Sequence, residues 1–166
     1  MRGIAPALLL TAALAATPAA AAVDVSFSQP ETFTDAHLGR SYGTAPVERT
    51  IQGIERHLHR LGERWLRPGQ SLRVEITDID LAGRFEPWRA LSPDLRAMRD
   101  VTWPRINLRY ALEENGTVVA TDEEEVVDLD YLLQPEAQRS RDPLRYEKAM
   151  LDDWFVARFG KAEAGG

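Results

Sequence analysis

The chain has 166 residues, with 20 basic and 26 acidic side chains and a formal net charge of −6 at neutral pH. This charge argues against nucleic acid as a partner and against electrostatic docking on anionic lipid, because both need a basic surface. The chain contains no cysteine, which excludes disulfides. The length suits one domain with one hydrophobic core.

Residues 1–22 have the pattern of a secretory signal peptide. Arg2 gives a positive start, residues 4–16 are apolar, and Ala20-Ala21-Ala22 offers a small-residue cleavage position. We expect cleavage after Ala22 and export to a bacterial periplasm, with a retained N-terminal anchor as the alternative. Loss of Arg2 would change the net charge from −6 to −7. No later apolar stretch is long enough to span a bilayer.

The first half of the mature chain predicts a strand, a loop and a long helix. Alternation predicts a strand that starts at Val23, and residues 30–43 are polar and predict a loop. Residues 46–67 predict a helix with a proline at its first position and Pro68-Gly69 after its end. Its apolar stripe consists of Val47, Ile51, Ile54, Leu58, Leu61 and Trp65.

The next strand contains an anomaly. Apolar residues alternate with polar ones from Leu72, and continued alternation would place Asp78 and Asp80 on the apolar face. Two carboxylates do not enter a core unpaired. Either a bulge near Thr77 exchanges the faces, or the strand runs past the sheet and the two aspartates line an edge or a cleft. Gly83 ends the strand.

A long connection and a hairpin follow. Residues 84–102 contain Glu86-Pro87-Trp88 and predict a short helix with Ser92 as its cap. Asn115-Gly116 predicts a two-residue hairpin turn. That turn would pair Leu112 with Val119, and it requires a bulge inside residues 122–125. Extended structure is expected to resume over residues 126–131.

The end of the chain predicts a loop and a second helix. Residues 134–142 are polar, and Asp142 is expected to cap a helix with Pro143 at its first position. Residues 161–166 are expected to be a disordered tail. The buried stripe of this helix consists of Leu144, Leu151, Trp154, Phe155 and Phe159.

The order of elements is strand, helix, strand, short helix, strand, strand, helix. The strand–helix–strand unit favours a parallel pair and the hairpin adds antiparallel strands, so the sheet is mixed. We therefore predict an α+β fold for residues 23–160: a two-layer sandwich in which a mixed four-stranded sheet carries two main helices on one face.

Few residues could carry chemistry. Asp78-x-Asp80 begins like a calcium loop, but Ala82 and Arg89 stand where an EF-hand needs ligands, which rejects that motif. A looser divalent-cation site that also uses residues 122–125 remains open. Nucleophile elbows and phosphate loops are absent. Trp88 and Trp103 bracket the long connection, and they either wall a groove beside Asp78 and Asp80 or fasten the loop to the sheet.

Four short motifs carry a resemblance to a known family. They are Thr77-Asp78-Ile79-Asp80-Leu81-Ala82-Gly83, Glu86-Pro87, Trp103-Pro104, and Tyr146-Glu147-Lys148 with Leu151 and Trp154. Through them nearly the whole mature chain resembles a family of secreted proteobacterial proteins, domain of unknown function 3016. The resemblance implies a periplasmic single-domain protein, and it implies no activity.

We therefore expect a non-enzymatic periplasmic module that binds a protein or another envelope component and carries no cofactor. The tentative ligand-binding residues are Asp78, Asp80, Trp88 and Trp103. The alternative is a metal-binding protein or metal-assisted hydrolase in which Asp78 and Asp80 hold a divalent cation.

Overall fold

The computed structural model of the chain describes residues 21–39, 45–86, 88 and 96–160, and its long strands form one sheet. Most of the expected leader, the beginning of the short helix expected after Ser92 and the expected tail, residues 161–166, lie outside the described residues. In chain order the elements are β1 (Ala22–Phe27), α1 (Ala45–Trp65), β2 (Gln70–Asp80), β3 (Arg84–Phe85), β4 (Arg96–Ala97), β5 (Arg105–Glu114), β6 (Thr117–Val127), α2 (Pro135–Arg139) and α3 (Arg145–Phe159).

The main sheet has the strand order β1-β2-β5-β6. Strands β1 and β2 are parallel and joined through α1, whereas β2–β5 and β5–β6 are antiparallel. The sheet is therefore mixed and four-stranded. Its edges are β1 and β6, and the β5–β6 hairpin turns at Asn115-Gly116, where both residues have positive φ.

The core lies between one face of the sheet and the helices α1 and α3. Side chains from all four strands meet the apolar stripes of both helices there. Ile54 and Leu58 on α1 and Leu151 and Phe155 on α3 are fully buried, as the spacing of their stripes requires. The predicted α+β two-layer architecture is confirmed.

A bulge in β2 exchanges the faces of the strand, as the first alternative predicted. The register with β5 shifts between Ile76 and Asp78, so Thr77 has no partner of its own. Ile76 and Ile79 consequently both face the core at 0% exposure, although they lie three positions apart. Without this extra residue, Ile79 would leave the core and Asp78 would enter it.

The predicted register of the hairpin is wrong. Leu112 pairs with Ala120, not with Val119, and the shift lies between Leu112 and Glu113. The bulge is therefore beside the turn and not inside residues 122–125. This position lets Val126 pair with Ile106 in the core, and it directs Glu124 toward α3, where Trp154 and Arg158 donate hydrogen bonds to it.

Three local boundaries also differ from the predictions. The connection over residues 84–102 contains β3 and β4, which pair with each other. Strand β6 ends at Val127, and Tyr131 begins a 3-10 turn because its ring is buried against Tyr146. The polar loop contains α2, and α3 begins only at Arg145, since Asp142 caps the turn before it by accepting the Leu144 N–H at 2.8 Å.

In the described part of the chain, no helix combines the length and the apolar character that are needed to span a membrane.

Candidate functional site

Asp80 ends β2 in a nearly closed polar environment. Its side chain is 7% exposed and lies between the guanidinium groups of Arg84, at 2.9 Å, and Arg105, at 3.3 Å. Arg105 stands opposite Asp80 on β5, and Arg84 follows on β3, so the pairing of the strands brings both charges to the carboxylate. A buried carboxylate is tolerated because it is paired in this way.

Asp78 holds the loop that follows β1. One carboxylate oxygen accepts the backbone N–H of Thr34 at 2.7 Å, and the other accepts the Thr34 hydroxyl at the same distance. Next to this contact, Asp35 extends β1 by a parallel bridge to Asp80. Asp78 and Asp80 thus contact different groups, although they are only two positions apart.

Arg96, on β4, connects these acidic residues to the segment that follows β2. Its guanidinium donates to both carboxylate oxygens of Asp35, at 3.3 and 2.9 Å, and its side chain is only 9% exposed. It also donates to the backbone carbonyls of residues 81, 82 and 83, at 2.9 to 3.0 Å. The guanidinium lies over the Phe85 ring, 4.9 Å from its centre.

Residues 81–83, which we call the anchored turn, have every backbone group bonded. The N–H groups of Leu81, Ala82 and Gly83 donate to the Asp35 carbonyl, the Glu147 carboxylate and the Thr102 carbonyl respectively, at 2.8 to 2.9 Å. The three carbonyls accept from Arg96, and two of them also from Arg84. The anchored turn can be buried because these bonds replace water.

Glu147 reaches the anchored turn from α3. Its side chain is buried, one carboxylate oxygen accepts the Ala82 N–H, and the other has no hydrogen-bond partner among the described residues. Burial raises the pKa of the Glu147 carboxyl, and the Ala82 N–H and the charges of Arg96 and Arg145 oppose this change. The carboxyl therefore favours its neutral form more than a Glu side chain in water does.

The two candidate tryptophans lie on loops at the same end of the sheet. Trp88 is 76% exposed and Trp103 is 36% exposed. Large apolar side chains that are exposed at this end come from the segments around β3, the start of β5 and the end of β6. We call this set the apolar rim: Trp88, Val101, Trp103, Val127, Leu129 and Leu133.

The structure brings only part of the predicted site together. Asp78 and Asp80 share the end of β2, and Trp103 lies two positions before Arg105, which pairs with Asp80. Trp88 follows β3 by three positions. Groove formation by these four side chains stays a prediction.

Metal coordination was the alternative chemistry for this end of the sheet. Within the residues that the structure describes, no group of three or more His, Asp or Glu side chains is arranged to hold a metal ion. Asp80 faces two guanidinium groups, which repel cations. His59 has Glu55 as its neighbour at 4.0 Å on the exposed face of α1.

Cavities elsewhere provide a second kind of candidate. A cavity of about 400 Å³ between the loop after β1 and α1 has a mainly apolar lining that includes Phe33, Ala36 and Ile51. Another, of about 280 Å³, lies at the hairpin end and is lined by Trp65, Leu112 and Phe159. Neither cavity is lined by a predicted site residue.

Sequence reasoning missed Arg96 and Asp35, the two residues that join the site. Asp35 lies in a predicted loop and Arg96 in the connection that was expected to contain a short helix, and in neither segment does periodicity show which side chains turn inward. Glu147 was noticed only within a motif, although an acidic residue next to the buried stripe of α3 could have signalled a buried carboxylate.

Comparison with known proteins gives one result. Searches of curated proteins and of solved structures found no significant match. A family profile described as "Protein of unknown function (DUF3016)" matches residues 21–157, which include β1 and nearly all of α3. The match covers the sheet, the anchored turn and Glu147, and the chain therefore belongs to the DUF3016 family.

Proposed function

We propose that the protein is exported to the periplasm, where it binds another protein of the cell envelope without catalysing a reaction. The signal-peptide pattern of residues 1–22 supports the compartment. The acidic net charge, −6 for the full chain and −7 without Arg2, supports a protein partner over nucleic acid or anionic lipid.

The observation that carries the proposal is the apolar rim. Its six side chains are between 36% and 76% exposed. The segments that carry them are joined at one end of the sheet, where Asp128 bonds Pro104, Tyr131 bonds Arg99, and Arg99 pairs with Glu86. Large apolar groups that are gathered on a surface mark interaction sites, whereas single ones do not. Tryptophan is enriched among the residues that contribute most to protein–protein binding.

The residues below the apolar rim favour a preformed binding surface. The anchored turn and the ion pairs of Asp80 fix the ends of β2 and β5, next to Trp103. Both backbone groups of Thr102, the neighbour of Trp103, are hydrogen-bonded. Its carbonyl accepts the Gly83 N–H, and its N–H donates to the Arg99 carbonyl. A surface that is already ordered loses less conformational entropy when a partner binds.

In this proposal Asp78 and Asp80 position the surface, and Trp103 with its apolar neighbours contacts the partner. The charged groups near the apolar rim, Arg84, Arg105 and Glu125, would surround the apolar contact as a polar border. An apolar centre with a charged border is the usual anatomy of a protein–protein interface.

The test is capture of a partner from a periplasmic extract by the immobilised mature chain. We expect one specific protein to be retained by the natural chain and lost with the Trp103→Ala/Leu129→Ala double variant. Val156→Ala is the matched control, since Val156 is an apolar residue on α3, 42% exposed and outside the apolar rim. Retention by the double variant, or the absence of any specific protein, would contradict the proposal.

A further inference from the structure

We infer that β6 receives an extended, basic segment of the partner protein as an additional strand of the sheet. This inference rests on the proposed binding function and specifies its mode. Strand β6 has 11 residues and forms one edge of the sheet, and among the described residues β5 is its only neighbour in the strand order. An open edge presents unpaired backbone donors and acceptors, which another extended chain can bond.

The backbone groups that would receive the new strand can be identified from the register. The Asp128 N–H donates to the Pro104 carbonyl on the β5 side. Alternation along β6 therefore directs the backbone groups of Thr121, Glu123, Glu125 and Val127 away from β5. In agreement, the Glu123 N–H donates to the Asp122 carboxylate at 2.9 Å and not to β5. Asp122 would have to release that N–H on binding.

The edge is accessible over most of its length. Residues 117–123 are all exposed, and they include Val118 at 48% and Val119 at 52%. Val127, the last residue of β6, belongs to the apolar rim. A strand added along β6 would therefore reach the apolar rim, the surface to which we assign the binding function.

The charges on β6 specify the chemistry of the occupant. The strand contains Asp122, Glu123, Glu124 and Glu125 and no basic residue. Glu124 is engaged by Arg158, and Glu123 by Arg109, while the Glu125 carboxylate lies 3.8 Å from Arg105. Side chains of opposite charge stabilise neighbouring strands and like charges destabilise them. An incoming strand with Lys or Arg at alternate positions therefore fits.

A second copy of this chain fits less well. Pairing of two β6 strands over their acidic residues would set carboxylates opposite carboxylates. Charged residues on an edge strand are a known protection against such self-association. The same residues admit a basic partner, so the charge selects between the two occupants.

The experiment uses the mature chain and a synthetic peptide of the length of β6 in which lysine alternates with threonine or valine. Binding is measured by calorimetry and by amide hydrogen exchange. We expect saturable binding that weakens as salt is added, and slower exchange at Thr121, Glu123, Glu125 and Val127. Binding without protection of these amides would overturn strand addition, and so would the absence of binding.

Two control peptides separate backbone pairing from charge. A peptide with glutamate in place of lysine should not bind. A peptide of unchanged charge, N-methylated at every second amide so that it cannot donate to β6, should also fail. Full binding by either control would overturn the inference, and so would dimers of the natural chain that protect the same amides.

Protein variants provide the matched test. Thr121→Pro removes one outward N–H, and Glu123→Gln/Glu125→Gln removes two charges from β6. Each should weaken peptide binding at least about tenfold, equivalent to about 1.4 kcal/mol, whereas Glu63→Gln/Glu136→Gln, at exposed positions on α1 and α2, should not. Unchanged binding by both β6 variants would overturn the inference.

The two proposals can fail separately. A partner that is lost with Trp103→Ala/Leu129→Ala but retained by Thr121→Pro would uphold the binding function and overturn strand addition. Protection of β6 by the peptide, with no envelope protein retained by the natural chain, would support strand addition and overturn the proposed function.

Discussion

Arg96 shows how one side chain can organise a polar site. Its donors reach Asp35 and three consecutive carbonyls, a combination that suits the planar, five-donor guanidinium and not a lysine ammonium. Asp80 takes the neighbouring guanidiniums of Arg84 and Arg105. The carboxylates that attract attention in the sequence therefore bond within the chain itself.

We predict that Asp80→Ala lowers the free energy of unfolding by about 2 kcal/mol, because the buried carboxylate accepts hydrogen bonds from two arginines that are themselves 43% and 35% exposed. Arg84 and Arg105 would lose this partner at the end of β2, although Arg105 keeps Glu125 at 3.8 Å. Urea unfolding measures the change, with Asp24→Ala as the control, since Asp24 is exposed and should change stability by less than about 0.5 kcal/mol. Equal effects of the two substitutions would contradict the pairing described for Asp80.

The raised pKa of Glu147 gives a pH dependence with a defined sign. Because the unfolded carboxyl titrates near 4.5 and the folded one at higher pH, the folded state binds more protons between these values. The contribution to stability is present at low pH and is lost as pH rises through the folded pKa, by at most about 1.4 kcal/mol per pH unit.

Glu147→Gln removes this titration but keeps an oxygen for the Ala82 N–H. We expect the natural chain to lose stability relative to the Glu147→Gln variant as pH rises above 4.5, measured by urea unfolding at several pH values. The control is Glu136→Gln, at an exposed position on α2. The pKa shift would be refuted if the stability of the natural chain relative to the Glu147→Gln variant stayed constant or rose with pH.

At the scale of elements, the bulge of β2 and the anchored turn together determine which side chains enter the core and which form the polar site. The bulge keeps Ile79 in the core and places Asp80 on the other side of the strand. The anchored turn then reverses the chain into β3, which pairs with β4 and delivers Arg96. A local insertion of one residue thus determines where the arginine acts, 19 positions later in the sequence.

Two glycines with similar backbones test the packing of the anchored turn. Gly83 has φ +75 and a Cβ there would lie 2.7 Å from the Met98 sulfur and 2.8 Å from the Ala97 oxygen. Gly116 has φ +81, and no atom of another described residue beyond its chain neighbours lies within 4 Å of its Cβ position. Alanine at either position adopts an unfavourable left-handed conformation, at a cost of about 1 kcal/mol.

We therefore predict that Gly83→Ala destabilises the protein by at least about 1 kcal/mol more than Gly116→Ala, because the β4 backbone must move. Thermal and urea unfolding of both variants check this difference. Equal destabilisation would show that the anchored turn is not tightly packed against β4.

At the scale of the whole molecule, charge is distributed unevenly. The open face of the sheet carries pairs of opposite charge, such as Arg73 with Glu113 and Arg109 with Glu123. The charged residues of the edge strand β6 are all acidic, and the apolar rim occupies the end away from the hairpin turn. The molecule thus presents one apolar end and one acidic edge, which meet at Val127.

Divalent cations should not stabilise the folded chain. Ions that bind only the folded state raise the melting temperature, but the carboxylate of Asp80 already faces Arg84 and Arg105, and Asp78 bonds Thr34. We expect the same melting temperature with EDTA and with added calcium, magnesium or zinc. A rise with one ion that disappears in Asp78→Ala would instead support the metal-binding alternative.

The candidate site was predictable only in part. Asp78 and Asp80 could be found because carboxylates stood where the period of a strand required apolar residues. Their partners could not be found, because Thr34, Arg84 and Arg105 come from three separate segments whose side-chain directions no local pattern reveals. The hairpin bulge was predicted inside residues 122–125 but lies beside Asn115-Gly116. The sequence does not show which residue of a long hairpin is the extra, unpaired one.

The sequence by itself determined the two amphipathic helices, the four strands, the mixed sheet and the need for a bulge near Thr77, because hydrophobic periodicity and turn residues are local properties. Only the tertiary structure decided that Arg96 and Glu147 hold the anchored turn, that Asp80 is enclosed by two arginines, and that β6 is an acidic open edge. These features depend on contacts between residues far apart in the chain, and such contacts exist only when the layers have packed together.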